Sequence, residues 1–385
     1  MIPSGPTVDL LILQPTPFCN VDCDYCYLPD RGSTAKMRPE VARAAAMRVA
    51  EAGLLASELS VVWHAGEPLT IGLSAFEELV ASVNSAIPGT TEVRHHVQTN
   101  AMLVSREWCD FFRRVNIRIG VSVDGPAFLH DAHRRTRSGK GTHARTLDGI
   151  RTLAEAGIAF HAIAVLTRSS LDYPDEFYDF FRSIPIDLLG LNVEEIEGTN
   201  HRSSLQSLAM RPKYRRFLTR LFRRLQEDGY ALSIREFLSA MAAVHMSETP
   251  SGSATDQQNC PWRIVTVDHG GRFTTFSPEL LGLAWDDDTF VLGNVMDTPI
   301  RVAAESAKFE RLMREITAGV DACKRECEYF RYCGGGAPVN KYSENGSFAS
   351  TETMFCSLTR KIVLDVVAQE LTQSASGRRL QVSVS

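Results

Sequence analysis

The sequence predicts an α/β protein in two parts: a partial (β/α)6 barrel of the TIM type, followed by a small α+β domain. Three observations support this prediction. Short apolar runs alternate with longer amphipathic stretches in the first half of the chain, polar residues follow the apolar runs, and cysteines cluster near both ends. A length of 385 residues is enough for one large and one smaller domain.

Six apolar runs rich in Val, Ile and Leu are predicted to be strands, and the amphipathic stretches between them to be helices. The strands cover residues 8–13, 59–64, 92–98, 117–123, 159–166 and 188–193. The helices cover residues 39–52, 74–86, 105–114, 142–156 and 173–183, with Ser105 as a candidate N-cap and Gly157 as a candidate stop. Six units are too few to close a barrel of eight strands, so a lateral gap remains for a peptide-sized substrate.

The barrel is expected to occupy residues 1–200, and three further segments follow it. Residues 201–258 are predicted to be a helical connection that ends in a linker rich in small residues, residues 259–372 a second domain with a hairpin at 265–276, and residues 373–385 a disordered tail. The basic run in the connection is either a solvated helix face or a surface for an acidic peptide leader.

Composition excludes several classes of function. A net charge of -5 provides no basic face for nucleic acid. No apolar run is long enough to span a bilayer, and the N-terminal run lacks the features of a signal peptide. We therefore expect a cytoplasmic protein that binds neither nucleic acid nor a membrane. Its nine cysteines, an odd number, indicate metal or redox chemistry instead of disulfides.

Cys19, Cys23 and Cys26 have C-x3-C-x2-C spacing, and Tyr25 precedes the third thiol. Three thiols on one loop can bind an iron–sulfur cube and leave one iron without a protein ligand. A structural zinc site needs a fourth ligand, and no Cys or His follows in the next thirty residues. The stretch resembles the signature of the radical S-adenosylmethionine (SAM) enzymes. This resemblance implies a [4Fe–4S] cluster that binds SAM at its open iron.

Polar residues at strand ends match further positions of that family. Gly66, Glu67 and Pro68 resemble its Gly-Gly-Glu-Pro motif, which meets the ammonium group of SAM, with Ala65 in place of the first glycine. The resemblance implies that SAM is also bound by Tyr25, Asn100, Ser122 and Asp124. Arg134 is a further candidate, because its planar guanidinium can pair with the carboxylate of SAM. Each strand end taken alone is also explained as a turn, and the arginine equally as a solvated surface residue.

A second group of thiols comprises Cys323, Cys327, Cys333 and Cys356. Four thiolates complete a cubane cluster that has no open iron. The region resembles the SPASM domain of peptide-modifying radical SAM enzymes, which implies one auxiliary [4Fe–4S] cluster on these four residues.

The remaining cysteine positions depart from the SPASM pattern. That domain carries further cysteines where this chain has Phe276 and Ala337, so a second auxiliary cluster is expected to be lost or incomplete. Cys260 is then either a buried structural thiol or a ligand or catalytic group, and Cys109 is expected to be an inert core thiol.

The motifs FSPELLG at 276–282 and CGGGAP at 333–338 resemble the maturases of glycine-rich-repeat peptides, relatives of enzymes that form three-residue cyclophanes. The resemblance implies that a 5′-deoxyadenosyl radical takes a hydrogen from a side-chain Cβ of a precursor peptide, which then bonds to an aromatic residue. A flavodoxin or ferredoxin would supply electrons. Glu279 and Asp268 are the candidate proton acceptors, or they cap turns.

Other interpretations remain open at this stage. The same radical can lead to thioether formation, epimerisation, hydroxylation or formylglycine generation. A non-enzyme interpretation is an interaction module in which metal ions only staple loops, which predicts a colourless zinc protein.

Overall fold

The computed structural model describes residues 8–246, 255–285 and 288–382. The strands are β1 Val8–Leu13, β2 Val21–Cys23, β3 Leu55–Trp63, β4 Glu92–Thr99, β5 Arg118–Ser122, β6 Arg134–Thr136, β7 Phe160–Leu166, β8 Leu189–Val193, β9 Ile264–Val267, β10 Arg272–Thr275, β11 Ala284–Trp285, β12 Asp288–Thr289 and β13 Gly293–Asn294. The α-helices are α1 Pro39–Glu51, α2 Leu73–Ala86, α3 Arg106–Val115, α4 Ala127–His133, α5 His143–Glu155, α6 Pro174–Ser183, α7 Met210–Glu227, α8 Arg235–Met246, α9 Ile300–Ala304, α10 Ala307–Glu326, α11 Phe330–Cys333, α12 Pro338–Asn345, α13 Met354–Cys356 and α14 Val363–Val382. A π-helical turn, Ser357–Ile362, separates the last two helices.

Six parallel strands form the barrel sheet in the order β1-β3-β4-β5-β7-β8. They overlap the six predicted strands, and α1, α2, α3, α5 and α6 overlap the five predicted helices. The partial barrel is thus confirmed. Strand β8 ends the sheet within the described residues, so the barrel is open on that side.

The predicted hairpin is present, since β9 and β10 pair antiparallel with Val267 opposite Phe273. Its first strand also pairs in parallel with β1. The C-terminal region therefore extends the barrel sheet to nine strands, ending in β13. This pairing leaves no local sequence pattern, because it joins strands at opposite ends of the chain.

The outer helices and the sheet share one apolar core. Phe76 packs against Trp63 and Trp108, with ring centroids 5.1 and 5.6 Å apart. Cys109 is 1% exposed within this core, as expected. The side chain of Ser105 accepts a hydrogen bond from the backbone of Trp108, which confirms the predicted N-cap.

The basic run of the connection lies on α7, and its arginines form ion pairs within the protein. Arg220 and Arg224 pair with Asp175 on α6, and Arg223 pairs with Glu370 on α14. These arginines therefore join α7 to its neighbours, a role that neither sequence interpretation included.

Two predicted segments lie near the limits of the described residues. Most of the predicted linker, residues 247–254, lies outside them. Helix α14 continues to Val382, so the segment predicted to be a disordered tail is helical up to that residue. Its Ala, Gln and Arg residues are good helix formers, which explains the difference. No helix of the described part of the chain is both long and apolar enough to cross a membrane.

Candidate functional site

The three N-terminal thiols lie on one loop, residues 19–26, which we call the cysteine loop. It lies beside the C-terminal ends of the barrel strands. Cys23 is buried on β2, and Cys19 and Cys26 pack with it against Tyr25 and Met102. Strand β2 pairs antiparallel with β6, which holds the loop against the barrel. The fold thus gathers the three thiols at the barrel end that carries active sites in related architectures.

The chemistry of these thiols fits a bound metal cluster. Burial raises the pKa of Cys19 to about 11 and that of Cys23 to about 12 even though Arg134 lowers both, so without bound metal both thiols stay protonated. Binding of iron releases those protons, because thiolates are the ligands. Cys19, Cys23 and Cys26 would therefore hold a cluster that supplies the missing positive charge.

Arg134 is a buried residue of this site. Its Nε lies 2.8 Å from Asp124 Oδ2, its Nη1 lies 3.9 Å from Cys23 Sγ, and its guanidinium stands over the Tyr25 ring. The hydroxyl of Tyr25 donates to the same carboxylate, and the backbone N–H of Val165 donates to Asp124 Oδ1 at 3.0 Å. The interpretation of Arg134 as a solvated surface arginine is therefore wrong, and both oxygens of Asp124 are occupied within the protein.

Glu67 is buried where β3 and β4 end. Its Oε2 accepts a hydrogen bond from Asn100 N at 2.7 Å, and its Oε1 accepts from Thr99 Oγ1 at 2.7 Å and Leu69 N at 3.1 Å. Burial raises the pKa of Glu67 to about 7 in spite of these donors. The carboxylate thus fixes the geometry of the loop that ends β3.

The backbone before Glu67 needs an unusual conformation. Ala65 and Gly66 have φ values of 75° and 56°. A Cβ on Gly66 would come 2.4 Å from Thr16 O, so this position tolerates only glycine. Ala65 adopts the left-handed conformation despite its side chain, which accounts for glycine being the commoner residue there in the family motif. Pro68 then begins the turn that leads into α2.

Two further predicted residues stand at neighbouring strand ends. Asn100 donates through Nδ2 to Asn20 Oδ1 at 2.7 Å, which ties the end of β4 to the cysteine loop. Ser122, at the end of β5, accepts from Gln98 Nε2 at 2.9 Å. The structure therefore brings the predicted SAM-binding residues to one end of the barrel.

The four C-terminal cysteines line one cavity of about 210 Å3, which we call the four-cysteine cavity. Burial raises the pKa of Cys333 and of Cys356, although Arg360 and Lys361 partly offset this effect. Among the described residues, no three Cys, His, Asp or Glu side chains are close enough to hold a single ion. A cubane does not require this, because each thiolate binds a different iron. The cavity fits one auxiliary cluster held by Cys323, Cys327, Cys333 and Cys356.

Aromatic packing fills the region where a second auxiliary cluster is expected to be missing. Phe276 is fully buried and stacks on Phe309, which also stacks on Trp262. Cys260 is partly buried, and its thiol faces the backbone carbonyl of Asp256 at 3.7 Å. It lies outside the four-cysteine cavity, in agreement with a structural thiol.

Asp268 holds the hairpin turn between β9 and β10. Its Oδ1 accepts from the backbone of Gly270 and Arg272, both at 2.9 Å, and its Oδ2 accepts from Arg272 Nε at 2.7 Å. These contacts favour the turn-capping interpretation over a catalytic one.

Glu279 lines three adjoining cavities. The first, of about 390 Å3, also includes Tyr27 and Ala65 beside the cysteine loop. The second, of about 460 Å3, includes Cys333. The third, of about 440 Å3, includes Asn340 and is called the carboxylate cavity below. Burial, with a smaller contribution from a neighbouring glutamate, raises the pKa of Glu279 to about 7.

Glu195 and Glu197 also line the carboxylate cavity, and sequence reasoning missed them. A single nitrogen, Asn340 Nδ2, donates to Glu195 Oε2 at 2.8 Å and to Glu197 Oε1 at 2.7 Å. Burial and the adjacent carboxylate raise the pKa of Glu197. Their place directly after β8, the last barrel strand, was the signal that could have found them.

The loop that carries these two glutamates is also hydrogen-bonded to the cysteine loop. Thr199 donates through its backbone to Tyr27 O at 3.0 Å and through Oγ1 to Cys26 O at 3.1 Å. A Cβ on Gly198 would come 2.2 Å from Tyr27 O, so the approach requires glycine. The carboxylate pair is thereby fixed relative to the N-terminal thiols.

Comparison with protein families agrees with this geometry. The family model described as the Radical SAM superfamily matches residues 13–197, a span that includes the cysteine loop and the barrel strands β3 to β8. The chain belongs to the radical SAM superfamily. This radical SAM protein is 39% identical over 375 residues to "Uncharacterized protein sll1766" of Synechocystis sp., covering 96% of this chain and 93% of the relative.

Two further comparisons cover most of the length of this radical SAM protein. It is 27% identical to the serine-type anaerobic sulfatase-maturating enzyme of Bacteroides thetaiotaomicron, over 84% of this chain and 81% of that one. The solved structure of native anSMEcpe with bound AdoMet and Cp18Cys peptide superposes with a TM-score of 0.76 at 22% identity, covering 96% and 99% of the two chains.

These findings identify a radical SAM enzyme with a SPASM-type C-terminal domain. Its cofactors are SAM and [4Fe–4S] clusters, including an auxiliary one. The interpretation as a metal-stapled interaction module is therefore abandoned.

Proposed function

We propose that this enzyme matures a ribosomally made precursor peptide by joining a side-chain Cβ to an aromatic residue, giving a three-residue cyclophane. The observation that carries the proposal is the position of Glu279. It lies where cavities from the cysteine loop, the four-cysteine region and the carboxylate pair meet. A peptide segment bound there would have a radical source on one side and a proton acceptor beside it.

The proposed reaction needs a source of radicals, an acceptor for one electron and an acceptor for one proton. When bound, the clusters and SAM supply the radical that abstracts the Cβ hydrogen and take up the electron released at the end. The peptide loses one hydrogen atom from Cβ, then one proton and one electron from the ring carbon, as the carbon–carbon bond forms. One external electron per turnover, together with the hydrogen atom taken from the peptide, would convert SAM into methionine and 5′-deoxyadenosine, and a flavodoxin or ferredoxin is the proposed donor of the electron.

The protein residues have proposed roles in binding and proton transfer. Glu67 and its loop orient the ammonium group of SAM, and Arg134 keeps a positive charge beside Cys23. Glu279 accepts the ring proton, because its carboxylate lines the cavities and is partly ionised near neutral pH. Glu195 and Glu197 receive that proton or hold it in reserve. The barrel and its extension bind the peptide across the open side.

Formylglycine generation is the second candidate, because the Bacteroides relative is a sulfatase-maturating enzyme. When the modified residue is serine, this reaction also removes two hydrogens from the peptide, so mass loss alone does not distinguish the products. An aldehyde reacts with a hydrazide probe, whereas a carbon–carbon crosslink does not.

The test is an anaerobic incubation of the reconstituted enzyme with reductant, SAM and candidate precursor peptides taken from short reading frames beside its gene. The expected product has lost two hydrogens, does not react with hydrazide, and gives no backbone fragments within a three-residue span that contains an aromatic residue. A hydrazide-reactive product would favour formylglycine. A product with added oxygen or only deuterium exchange would indicate hydroxylation or epimerisation and overturn the crosslinking proposal.

A further inference from the structure

Three cationic side chains line the four-cysteine cavity: Lys341, Arg360 and Lys361. Two carboxylates, Glu326 and Glu352, line it as well. The cavity wall thus carries more positive than negative side chains. A cation that is already paired with a carboxylate interacts less strongly with a group bound by the thiols, so the partner of each cation must be identified.

Two of these cations are already engaged. Lys361 Nζ lies 2.9 Å from Glu352 Oε2, and this carboxylate, which also pairs with Arg211, offsets part of its charge. Arg360 forms a long ion pair with Asp256, at 3.5 Å, and it also lines the carboxylate cavity. Glu326 is exposed, so water screens its charge.

Lys341 differs from both. It is only 3% exposed, and within the described residues no carboxylate pairs with it. A buried ammonium without a counter-charge is unfavourable, because much of its hydration is lost. The four thiols line the same cavity as Lys341 and become a source of negative charge once they bind a cluster.

Helix α10 has a glycine, Gly319, at the point where the Lys341 side chain packs against it. A Cβ on Gly319 would come 3.1 Å from Lys341 Nζ and 2.0 Å from Phe348 O, so only glycine leaves room for both. Gly319 and Cys323 are four residues apart and lie on the same helix face. The ammonium group therefore lies beside the helix turn that carries Cys323.

A cubane held by four thiolates has a net negative charge, and reduction adds another. A cation at short distance in a buried site stabilises the reduced state more than the oxidised state, and it raises the reduction potential. Lys341 occupies the position from which a fixed charge would have this effect.

We infer that Lys341 is the counter-charge of the auxiliary cluster and tunes that site to accept the electron released from the peptide. The inference rests on the proposed function, in which the ring carbon gives up one electron and one proton. The electron reduces the four-cysteine site, and an oxidised carrier of the flavodoxin or ferredoxin class later removes it.

The test is a redox titration of the auxiliary cluster, followed by electron paramagnetic resonance in the full chain. Ala replaces Cys19, Cys23 and Cys26 throughout, so that only the auxiliary cluster contributes a signal. In this background Lys341→Met is expected to lower the equilibrium constant for one-electron reduction at least tenfold, which corresponds to about 59 mV.

Two variants control for charge and packing. Lys324→Met removes an exposed lysine next to Cys323 that does not line the cavity, and its potential is expected to stay unchanged. Lys341→Arg keeps the charge and is also expected to keep the potential. An unchanged potential in Lys341→Met, or an equal shift in Lys341→Arg, would overturn the inference. If Lys341→Met fails to retain four irons, Lys341→Gln takes its place under the same criteria.

A second readout separates this inference from the proposed function. With intact clusters and peptide, Lys341→Met is expected to release 5′-deoxyadenosine while forming less crosslinked product, because the electron is taken up less readily. If the enzyme forms no crosslink at all, the proposed function fails, and the titration still decides the role of Lys341.

Discussion

The Nε of Arg134 lies 2.8 Å from Asp124 Oδ2 in a pair whose side chains are only 10% and 3% exposed. This contact joins the strand beneath the cysteine loop to the residues that follow the fourth barrel strand. Breaking a buried ion pair from one side leaves an uncompensated charge, at a cost of about 3–5 kcal/mol. The cysteine loop should therefore depend on this pair for its position.

We expect Arg134→Ala to lower the free energy of unfolding by about 3–5 kcal/mol and to impair loading of the N-terminal cluster. Urea denaturation and iron content measure the two effects. Arg135→Ala is the matched control, because this neighbour is exposed and its change is expected to stay within about 0.5 kcal/mol. Equal effects of the two substitutions would contradict the structural role of Arg134.

Glu67→Gln tests the loop at the end of β3. The carboxylate of Glu67 accepts all three of its hydrogen bonds. The NH2 group of a glutamine would face one of these donors in either orientation, and the lost hydrogen bond would cost about 1–3 kcal/mol. We expect at least a tenfold loss of SAM affinity, measured by equilibrium dialysis with the reconstituted protein. Glu78→Gln, on the exposed face of α2, should bind SAM like the parent enzyme. Unaltered affinity in Glu67→Gln would exclude its role at the SAM site.

The cysteine assignments predict different iron contents for two single variants. The parent enzyme should contain about eight irons, as two four-iron clusters require. Cys333→Ser is expected to fall to about four, whereas Cys260→Ser should keep about eight, because Cys260 lies outside the four-cysteine cavity. A loss of iron in Cys260→Ser would mean that this thiol is a ligand after all.

Local patterns predicted most of the barrel because each strand and helix carries its own periodicity. The C-x3-C-x2-C spacing located the cysteine loop in the same way. The parallel pairing of β9 with β1 and the convergence of Glu195, Glu197 and Glu279 depend on contacts between distant segments. Such contacts have no signature in one sequence. Asp268 shows a second limit of sequence analysis. A carboxylate that caps a turn and one that acts in catalysis cannot be distinguished in a sequence until the hydrogen-bond donors around the carboxylate are known.

Glu279 provides the pH-dependent prediction. Burial raises the pKa of its carboxyl group to about 7, and only the ionised form accepts a proton. The single-turnover rate of crosslinking should therefore rise about tenfold from pH 6 to pH 8 and then level off. Rapid quench with mass spectrometry measures product, and 5′-deoxyadenosine measured in the same samples shows whether the earlier hydrogen abstraction shares the dependence.

Substitution decides whether Glu279 or its neighbours cause that dependence. Glu279→Gln should slow crosslinking by about 10²–10⁴-fold and abolish the rise with pH, while 5′-deoxyadenosine still forms. Asp268→Asn is the control: it removes the ion pair with Arg272 and should lower stability without moving the pH profile. If Glu279→Gln keeps the rise and Glu197→Gln loses it, the proton acceptor is the carboxylate pair bridged by Asn340.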